Sequence, residues 1–307
     1  MLAKIHFFLE QSYSWARHYY ESAEAEVAVR AFRREGLQGE VTVLRAEEAP
    51  FGGAAKAEAH RDTLFLADSR RLVLALRAQG LYVAAYSHGS NAGEDFSGVS
   101  YVVEEPQLVD KDSYIKIYER LAGLPWTILT TDRCVVREFT EADVDALYDC
   151  YDDAQARRFL DPLAAQPAEE QERLRAYIRK MYGFFGYGLW AVVDKKTNRL
   201  IGRAGFDLCR RAVNGESGAE LGYLVAAPFR GRGIGAEVCG AILRYGFETL
   251  EFEQVQALTA PENAASIALL GKLGFHRAQT RIAMGSHVVM HDGLRQFVLT
   301  AREWRER

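Results

Sequence analysis

The sequence predicts an α/β protein of two domains, in which a small parallel sheet precedes a mixed, mostly antiparallel sheet flanked by helices. Three observations lead to this prediction. Short apolar strands alternate with helices over the first 126 residues, and strands joined by tight polar loops dominate the rest. The chain of 307 residues is also long enough for two cores. We therefore expect domains at residues 1–126 and 131–307, connected by a short hinge over 123–132.

The first domain is predicted from βαβ spacing. A helix over 69–78 follows a strand at 63–68, and further strands are expected at 41–44, 81–86 and 99–103, with a helix over 112–121. Ligands of parallel sheets bind beyond the carboxyl ends of strands. The polar residues predicted at those ends are Asp68, Ser87, His88, Ser90 and Asn91. A structural role and an effector-binding role stay open.

This first domain weakly resembles half of a haloacid dehalogenase domain. In that family a pair of aspartates is separated by one residue, whereas Asp68 is followed by Ser69 and Arg70. The aspartate pair is therefore absent, and we assign no hydrolase activity.

The second domain is predicted from strands, helices and turn signals in sequence order. Thr140 is the type of residue that caps a helix N-terminus, and Gly274 the type that ends one. Three glycines among aromatic residues predict that 182–190 is a loop entering a strand. Strands are expected at 134–139, 189–193, 200–206, 220–225, 254–258, 282–284 and 296–300, with helices at 168–181, at 236–250 and after residue 263.

The most informative segment of this domain is Arg230-Gly231-Arg232-Gly233-Ile234-Gly235, between the strand at 220–225 and the helix at 236–250. Glycines allow a tight turn whose N–H groups approach a ligand, and the helix dipole favours negative charge there. The spacing differs from the dinucleotide fingerprint G-x-G-x-x-G, and no Gly-Lys-Ser/Thr follows. A pyrophosphate-bearing ligand is expected.

The segment fits R-x-x-G-x-G, and with Asn263-x-x-Ser266 followed by Leu273-Gly274-Phe275 it resembles the GNAT superfamily of N-acetyltransferases. The second motif is similar to the RimJ/RimL branch, which acetylates ribosomal proteins. The resemblance implies acetyl-CoA as co-substrate, with its pyrophosphate on the glycine-rich turn, and no metal. The cofactor-binding residues that it implies are Leu224, Val225, Arg230, Gly231, Arg232, Gly233, Ile234, Gly235, Ala236 and Asn263.

Acetyl transfer needs a base for the amine, donors for the oxyanion and a route for the thiolate to leave. By resemblance Glu220 is the base, with Glu138 as the alternative, and backbone N–H groups near Leu224 and Val225 bind the acetyl carbonyl. Many relatives carry a tyrosine late in the second motif's helix, where this chain has Leu270. The acid is therefore Ser266, a water molecule or absent.

The aromatic segment at 182–190 is expected to border the acceptor site, because the corresponding loop does so in the family that the chain resembles. Tyr187 and Trp190 are its candidate substrate contacts. A core position is the alternative for both aromatic side chains.

Charge and cysteine usage exclude several classes of partner. The chain has 38 Lys and Arg against 42 Asp and Glu, a net charge of −4. No basic excess is present for nucleic acid or for an anionic membrane. Cysteines without C-x-x-C spacing, and no signal peptide or membrane-spanning run, predict a cytoplasmic protein with reduced thiols. A homodimer is left open.

Two functions remain from sequence alone. The first is an acetyl-CoA-dependent N-acetyltransferase acting by direct attack in a ternary complex on a protein N-terminus or a small-molecule amine. The second is a catalytically weak module that binds acetyl-CoA and regulates through the first domain. Leu270 favours the second, whereas Glu220, Asn263 and Ser266 favour the first.

Overall fold

The computed structural model describes residues 2–10, 15–34, 36–44, 60–209, 218–278 and 293–306. The chain divides into two compact units, Met1–Trp126 and Thr127–Arg307. Each unit contains a sheet of its own. No helix in the described ranges is long and apolar enough to cross a lipid bilayer.

The first unit is a parallel sheet with helices between its strands, as the sequence predicted. Its strands lie in the order β2-β1-β3-β4-β5, and every neighbouring pair is parallel. The strands are β1 (Lys4–Glu10), β2 (Gln38–Leu44), β3 (Thr63–Ala67), β4 (Tyr82–Tyr86) and β5 (Val102–Val103). The helices are α1 (Trp15–Arg34), α2 (Arg70–Arg77) and α3 (Lys111–Leu121).

The strand β1 and the helix α1 were missed from sequence. β1 lies between β2 and β3, and its side chains contact both faces of the sheet: Phe7 belongs to one apolar cluster and Phe8 to the other. A strand buried on both faces is a continuous apolar run without alternation, so hydrophobic periodicity does not identify it as a strand. The buried side of α1 includes Ala25, Ala28 and Phe32, a narrow stripe that gives a weak apolar pattern.

His6 of β1 is a buried titratable group in the first unit, and its Nε2 lies 2.7 Å from Thr42 Oγ1. Burial lowers the pKa of His6 from 6.5 to about 4, while the neighbouring Glu40 carboxylate acts in the opposite direction. The folded protein therefore holds the neutral imidazole over a range where the unfolded chain binds a proton.

We expect this unit to lose stability as the pH falls from 6.5 to about 4, because only the unfolded chain gains a proton there. The loss should reach up to about 3 kcal/mol, by the conversion of about 1.4 kcal/mol per pKa unit. Hydrogen exchange of the β1 amides against pH measures it. His6→Gln, which does not titrate, should flatten this dependence, and an equally steep profile in that variant would contradict the assignment.

The second unit has a mixed sheet in the order β12-β13-β11-β10-β9-β8-β7-β6. Every neighbouring pair is antiparallel except β10 with β11, which confirms the predicted mixed, mostly antiparallel class. The strands are β6 (Thr127–Thr130), β7 (Cys134–Arg137), β8 (Leu189–Asp194), β9 (Arg199–Leu208), β10 (Gly218–Val225), β11 (Gln254–Thr259), β12 (His276–Arg277) and β13 (Arg295–Thr300). The helices are α4 (Val144–Tyr151), α5 (Ala154–Phe159), α6 (Pro167–Tyr177), α7 (Ile234–Glu248), α8 (Ala264–Lys272) and α9 (Ala301–Arg305).

The parallel strands β10 and β11 separate after three residue pairs. Gly218, Ala219 and Glu220 pair with residues 254–256, and beyond Glu220 no pairing joins the two strands although both continue. The sheet therefore opens between the carboxyl-terminal halves of β10 and β11. This opening positions the candidate site.

Local details of the second unit confirm some predictions and correct others. The hinge prediction over 123–132 is wrong in part, because Thr127–Thr130 forms β6 and pairs with β7. The loop predicted at 182–190 is also wrong in part: a π-helix, Ile178–Phe185, ends at Gly186, whose φ is +75°. The strand predicted at 282–284 lies outside the described residues.

The π-helix forms despite its glycine because Tyr182 within it and Tyr177 just before it form hydrogen bonds with the start of β8. The Tyr182 hydroxyl donates to the Leu189 carbonyl at 2.5 Å, and the Leu189 N–H donates to the Tyr177 hydroxyl at 2.6 Å. Tertiary hydrogen bonds thus outweigh the local preference of a Gly-rich segment for a loop.

Candidate active site

A cavity of about 830 Å³ occupies the opening between β10 and β11. The glycine-rich turn and the first residues of α7 line it beyond the carboxyl end of β10, and the cross-strand pair Glu220 and Asp207 lines it near the amino end of that strand. The helix α8 lines one side along its length, from Ala265 to Lys272. The cavity lining includes eleven of the twelve residues predicted for the cofactor and the catalytic groups, and the exception is Arg232.

The glycine-rich turn has the geometry that its sequence predicted. Gly231 and Gly233 have φ of +71° and +78°, in the left-handed region that favours glycine, and Gly233 is the N-cap of α7. The first N–H groups of a helix have no partner within it. Those of α7 therefore form, with the helix dipole, a local site for an anion at this end of the cavity.

Arg230 forms hydrogen bonds through all three nitrogen atoms of its guanidinium group. Its Nε donates to the Val225 carbonyl at 2.6 Å, and its two Nη atoms donate to the Asp153 carboxylate at 2.9 and 2.7 Å. The Arg230 guanidinium in turn holds the pKa of Asp153 below its usual range. Arg230 therefore fastens the turn to β10 and to the start of α5, and its charge is neutralised by Asp153. A direct contact of Arg230 with the cofactor stays a prediction.

Arg230→Met should lower the free energy of unfolding at pH 7 by about 1–3 kcal/mol, since charged hydrogen bonds of a half-buried group are lost. The exposed Arg232 is the matched control, and Arg232→Met should change it by less than about 0.5 kcal/mol. Urea denaturation measures both.

The stabilisation that the Arg230–Asp153 pair contributes depends on pH. Because the pKa of Asp153 is lowered in the folded state, this stabilisation is present above pH 3.8, the ordinary pKa of an aspartate. It is lost as the pH falls through the lower pKa that Asp153 has in the folded protein. Equal stability of the two variants at pH 7 would contradict the role of Arg230 as a fastener.

The side chain of Arg232 is exposed and does not line the cavity, and its guanidinium lies 5.9 Å from the Phe229 ring centroid. Its carbonyl accepts from Arg133 Nη1 at 2.7 Å, and Arg133 Nε donates to Glu237 at 2.6 Å. Arg133 therefore ties the turn to the first turn of α7 from outside the cavity. Sequence reasoning did not identify these contacts, because Arg133 is about a hundred positions away from Arg232 and Glu237.

Glu220 lies at the end of the paired part of β10, half-buried and lining the cavity. Its cross-strand neighbour on β9 is Asp207. Side chains directly opposite on antiparallel strands share a face, so both carboxyl groups are on one side of the sheet at this end. The rival base, Glu138, is buried with 2% exposure and does not line the cavity.

The N-terminus of α8 contains Asn263 and Ser266, and both line the cavity. Asn263 Oδ1 accepts from the Ser266 N–H at 3.2 Å and so caps the helix. The Ser266 hydroxyl lies 2.7 Å from the hydroxyl of Tyr223 on β10. Tyr223 also lines the cavity, and sequence analysis missed it because only the tertiary fold brings it to Ser266.

The backbone of β10 offers donors to the opening at alternate residues. The Ala226 N–H donates to the Ile201 carbonyl at 2.8 Å, and antiparallel hydrogen bonds alternate along a strand. By this alternation the N–H of Leu224 points to β9, and those of Tyr223 and Val225 point to the opening. Of the two donors expected for an acetyl carbonyl, the Val225 N–H therefore faces the opening and the Leu224 N–H faces β9; their role stays a prediction.

The two aromatic residues predicted for the acceptor site have different positions. Trp190 is fully buried, and its ring packs edge-on against Phe206 and Tyr245, so the prediction that it contacts substrate is wrong. Tyr187 is half-buried outside the cavity lining. Burial raises the pKa of Tyr187, and the nearby Asp207 adds to this effect.

Three of the five polar residues predicted in the first unit contact one another at the ends of β3 and β4. His88 Nε2 lies 3.5 Å from Asp68 Oδ2, and both side chains are 4% exposed. Asn91 Nδ2 donates to the carbonyls of Asp68 and Tyr86 at 2.7 and 2.8 Å. These contacts join two strand ends, and a ligand-binding role for them stays a prediction.

Comparison with known proteins identifies the second unit. A family model described as an acetyltransferase (GNAT) domain matches residues 133–276. The [ribosomal protein uS5]-alanine N-acetyltransferase of Escherichia coli is 32% identical over 166 residues, which cover 51% of this chain and 81% of that enzyme. The uncharacterized N-acetyltransferase YoaA of Bacillus subtilis is 27% identical over 150 residues, 49% of this chain and 83% of YoaA.

Among solved structures, the ribosomal-protein-S5-alanine acetyltransferase of Vibrio fischeri aligns with a TM-score of 0.46 at 16% identity, over 57% of this chain and 97% of that one. Together with the sheet that opens between β10 and β11, the sequence matches define an N-acetyltransferase. The chain belongs to the GNAT family of acetyltransferases, with relatives of the RimJ/RimL type that act on ribosomal proteins. The resemblance of the first unit to haloacid dehalogenases is not supported.

Acetyltransferases of this family use acetyl-CoA, and the residues present fit that molecule. The cavity offers helix N–H groups for phosphates at one end and an open strand pair for an extended chain in the middle. Among the described residues, no group of three or more His, Cys, Asp or Glu side chains is arranged to hold a metal ion.

Proposed function

We propose that the protein transfers an acetyl group from acetyl-CoA to a primary amine by direct attack in a ternary complex. The observation that carries this proposal is the single cavity that connects the first turn of α7 to the carboxylates of Glu220 and Asp207. One end suits a pyrophosphate, the other suits an amine, and the unpaired edge of β10 lies between them. The reacting groups of two substrates can thus meet inside one cavity.

In this proposal the pyrophosphate is bound by the turn at 231–236, and the chain that ends in the thioester follows β10 and α8. Asn263 and Ser266 contact that chain, and the Val225 N–H stabilises the oxyanion. Arg230 contributes by holding the turn in place. Glu220 removes the proton from the incoming amine.

Two carboxylates at the acceptor end favour an amine that arrives protonated. Glu220 and Asp207 are cross-strand neighbours that line the cavity there. Asp161 also lines the cavity, as does Arg203, whose guanidinium stacks on the Tyr151 ring at 5.2 Å. The excess of negative charge attracts an ammonium group, and a carboxylate then removes its proton. Tyr187, which interacts with Asp207, is proposed to border the bound acceptor.

A protein N-terminus is the acceptor we place first, because the E. coli relative is named for acetylation of an alanine on ribosomal protein uS5. A small-molecule amine is the second candidate. Cytoplasmic location is part of the proposal, since the four free cysteines fit a reducing compartment. The proposed function does not require a homodimer.

Release of the free thiol from acetyl-CoA, measured over a panel of peptides and amines, tests the proposal. Peptides with N-terminal alanine or serine and aliphatic diamines should support turnover, and the same peptides with blocked N-termini should not. Binding of CoA without turnover on any acceptor would indicate the sensor function instead.

A further inference from the structure

The helix α8 contributes one hydroxyl to the cavity wall. Of its described residues that line the cavity, only Ser266 has an O–H group, and Leu270, one turn later, is fully buried in the core. A leaving thiolate beside α8 therefore has no acidic side chain on that helix at the position of Leu270. A side chain more acidic than the Ser266 hydroxyl would have to come from another part of the wall.

The opposite wall supplies a phenol at this level. Tyr223 extends from β10, and its hydroxyl lies 2.7 Å from Ser266 Oγ across the opening. Burial raises the pKa of Tyr223, which keeps the phenol protonated but makes it a weaker acid, and the hydrogen bond with Ser266 acts in the opposite direction. The Ser266 hydroxyl therefore favours release of the phenol proton.

The position of Tyr223 on its strand also separates it from the proposed base. Glu220 and Tyr223 are three residues apart, so their side chains leave opposite faces of β10. Along the strand they are about 10 Å apart at about 3.3 Å per residue. One face of β10 thus carries the Glu220 carboxylate for the attacking amine. The other face carries the Tyr223 phenol for the leaving sulfur, and the opening lies between them.

We propose, resting on the proposed function, that Tyr223 is the acid of the reaction and that Ser266 is a positioning residue for its phenol. The bound ammonium group first loses one proton to water through the carboxylates of the acceptor end. The free amine nitrogen then forms a bond to the thioester carbonyl carbon, and Glu220 accepts the second proton, which the nitrogen loses as the amide forms. The C–S bond breaks with its electron pair on sulfur, and the phenol proton passes to that sulfur. Ser266 donates to the phenolate oxygen until water restores its proton, and Glu220 returns its proton to water.

Single-turnover rates with the thioester and the selenoester of acetyl-CoA test this role. A selenolate is a weaker base than a thiolate, so it leaves without protonation. Tyr223→Phe should slow transfer from the thioester by about 10²-fold or more, as expected for a lost acid. The loss should shrink markedly with the selenoester, and calorimetry should show unchanged affinity for CoA.

Two further variants complete the test. Ser266→Ala should show a smaller loss with the same selenoester rescue, and it serves as the readout if Tyr223→Phe fails to fold. Tyr118→Phe in the first unit removes a hydroxyl bonded to the Arg61 carbonyl at 2.5 Å and should leave transfer unchanged.

Parent-like transfer in Tyr223→Phe, or an equal loss with both esters, would overturn the proposal while leaving the acetyltransferase function intact. A parent enzyme that is inert with both esters on every acceptor would instead refute the function on which the proposal rests.

Discussion

Replacing Glu220 with glutamine is expected to lower turnover about 10²–10⁴-fold near pH 7, the range for loss of a general base. The reason is positional: Glu220 lines the cavity at the last residue of β10 that pairs with β11, away from the glycine-rich turn. Affinity for CoA should therefore stay unchanged. Steady-state thiol release together with calorimetric titration of CoA measures the two effects separately.

The loss in Glu220→Gln should shrink at high pH, where the acceptor amine is deprotonated without help. Asp207→Asn is the matched variant, because Asp207 is the cross-strand neighbour of Glu220 on the same face. It should raise the KM for a cationic acceptor more than it lowers kcat. Parent-like turnover of Glu220→Gln at pH 7 would move the base to a water molecule or to Asp207.

A second large effect is expected at Gly233, the N-cap of α7. Gly233→Val places a branched side chain at φ +78°, which costs on the order of 1–2 kcal/mol of backbone strain, beside the N–H groups that face the proposed pyrophosphate. We expect affinity for CoA to fall roughly tenfold to a hundredfold, the equivalent of one charge-assisted hydrogen bond. The KM for acetyl-CoA should rise in parallel.

Gly80→Val separates strain from ligand contact. Gly80 has φ +76° and no atom within 4 Å of an added Cβ, and it lies in the first unit. This variant should lose comparable stability and keep its affinity for CoA. An equal loss of affinity in the two variants would mean that reduced folding, and not the turn, explains the result for Gly233.

The cofactor end of the site could be predicted from sequence because its determinants are local. The turn and the helix α7 are adjacent in sequence, so glycine preference and helix polarity decide their structure. The same holds for the cap of α8, in which Asn263 bonds to the N–H of Ser266 three positions later.

The remainder depends on contacts between distant residues. Arg230 meets Asp153 across 77 positions, and Tyr223 meets Ser266 across 43. Strand register determines that Trp190 is buried. Trp190 pairs with Ala204 of β9, Ala204 pairs with Tyr223 of β10, and the Trp190 ring packs against Tyr245 of α7. No local pattern distinguishes such a buried aromatic residue from one that borders a pocket.

The central claim is that the turn at 230–236 binds the pyrophosphate of acetyl-CoA. Calorimetric titration of the parent and of Gly233→Val, each with CoA and with pantetheine, which lacks the phosphates, tests it most directly. We predict that the parent binds CoA at least about tenfold more tightly than pantetheine, as one charged hydrogen bond would give, and that this preference largely disappears in Gly233→Val. Equal affinity of the parent for both ligands, or an undiminished preference in the variant, would contradict the claim.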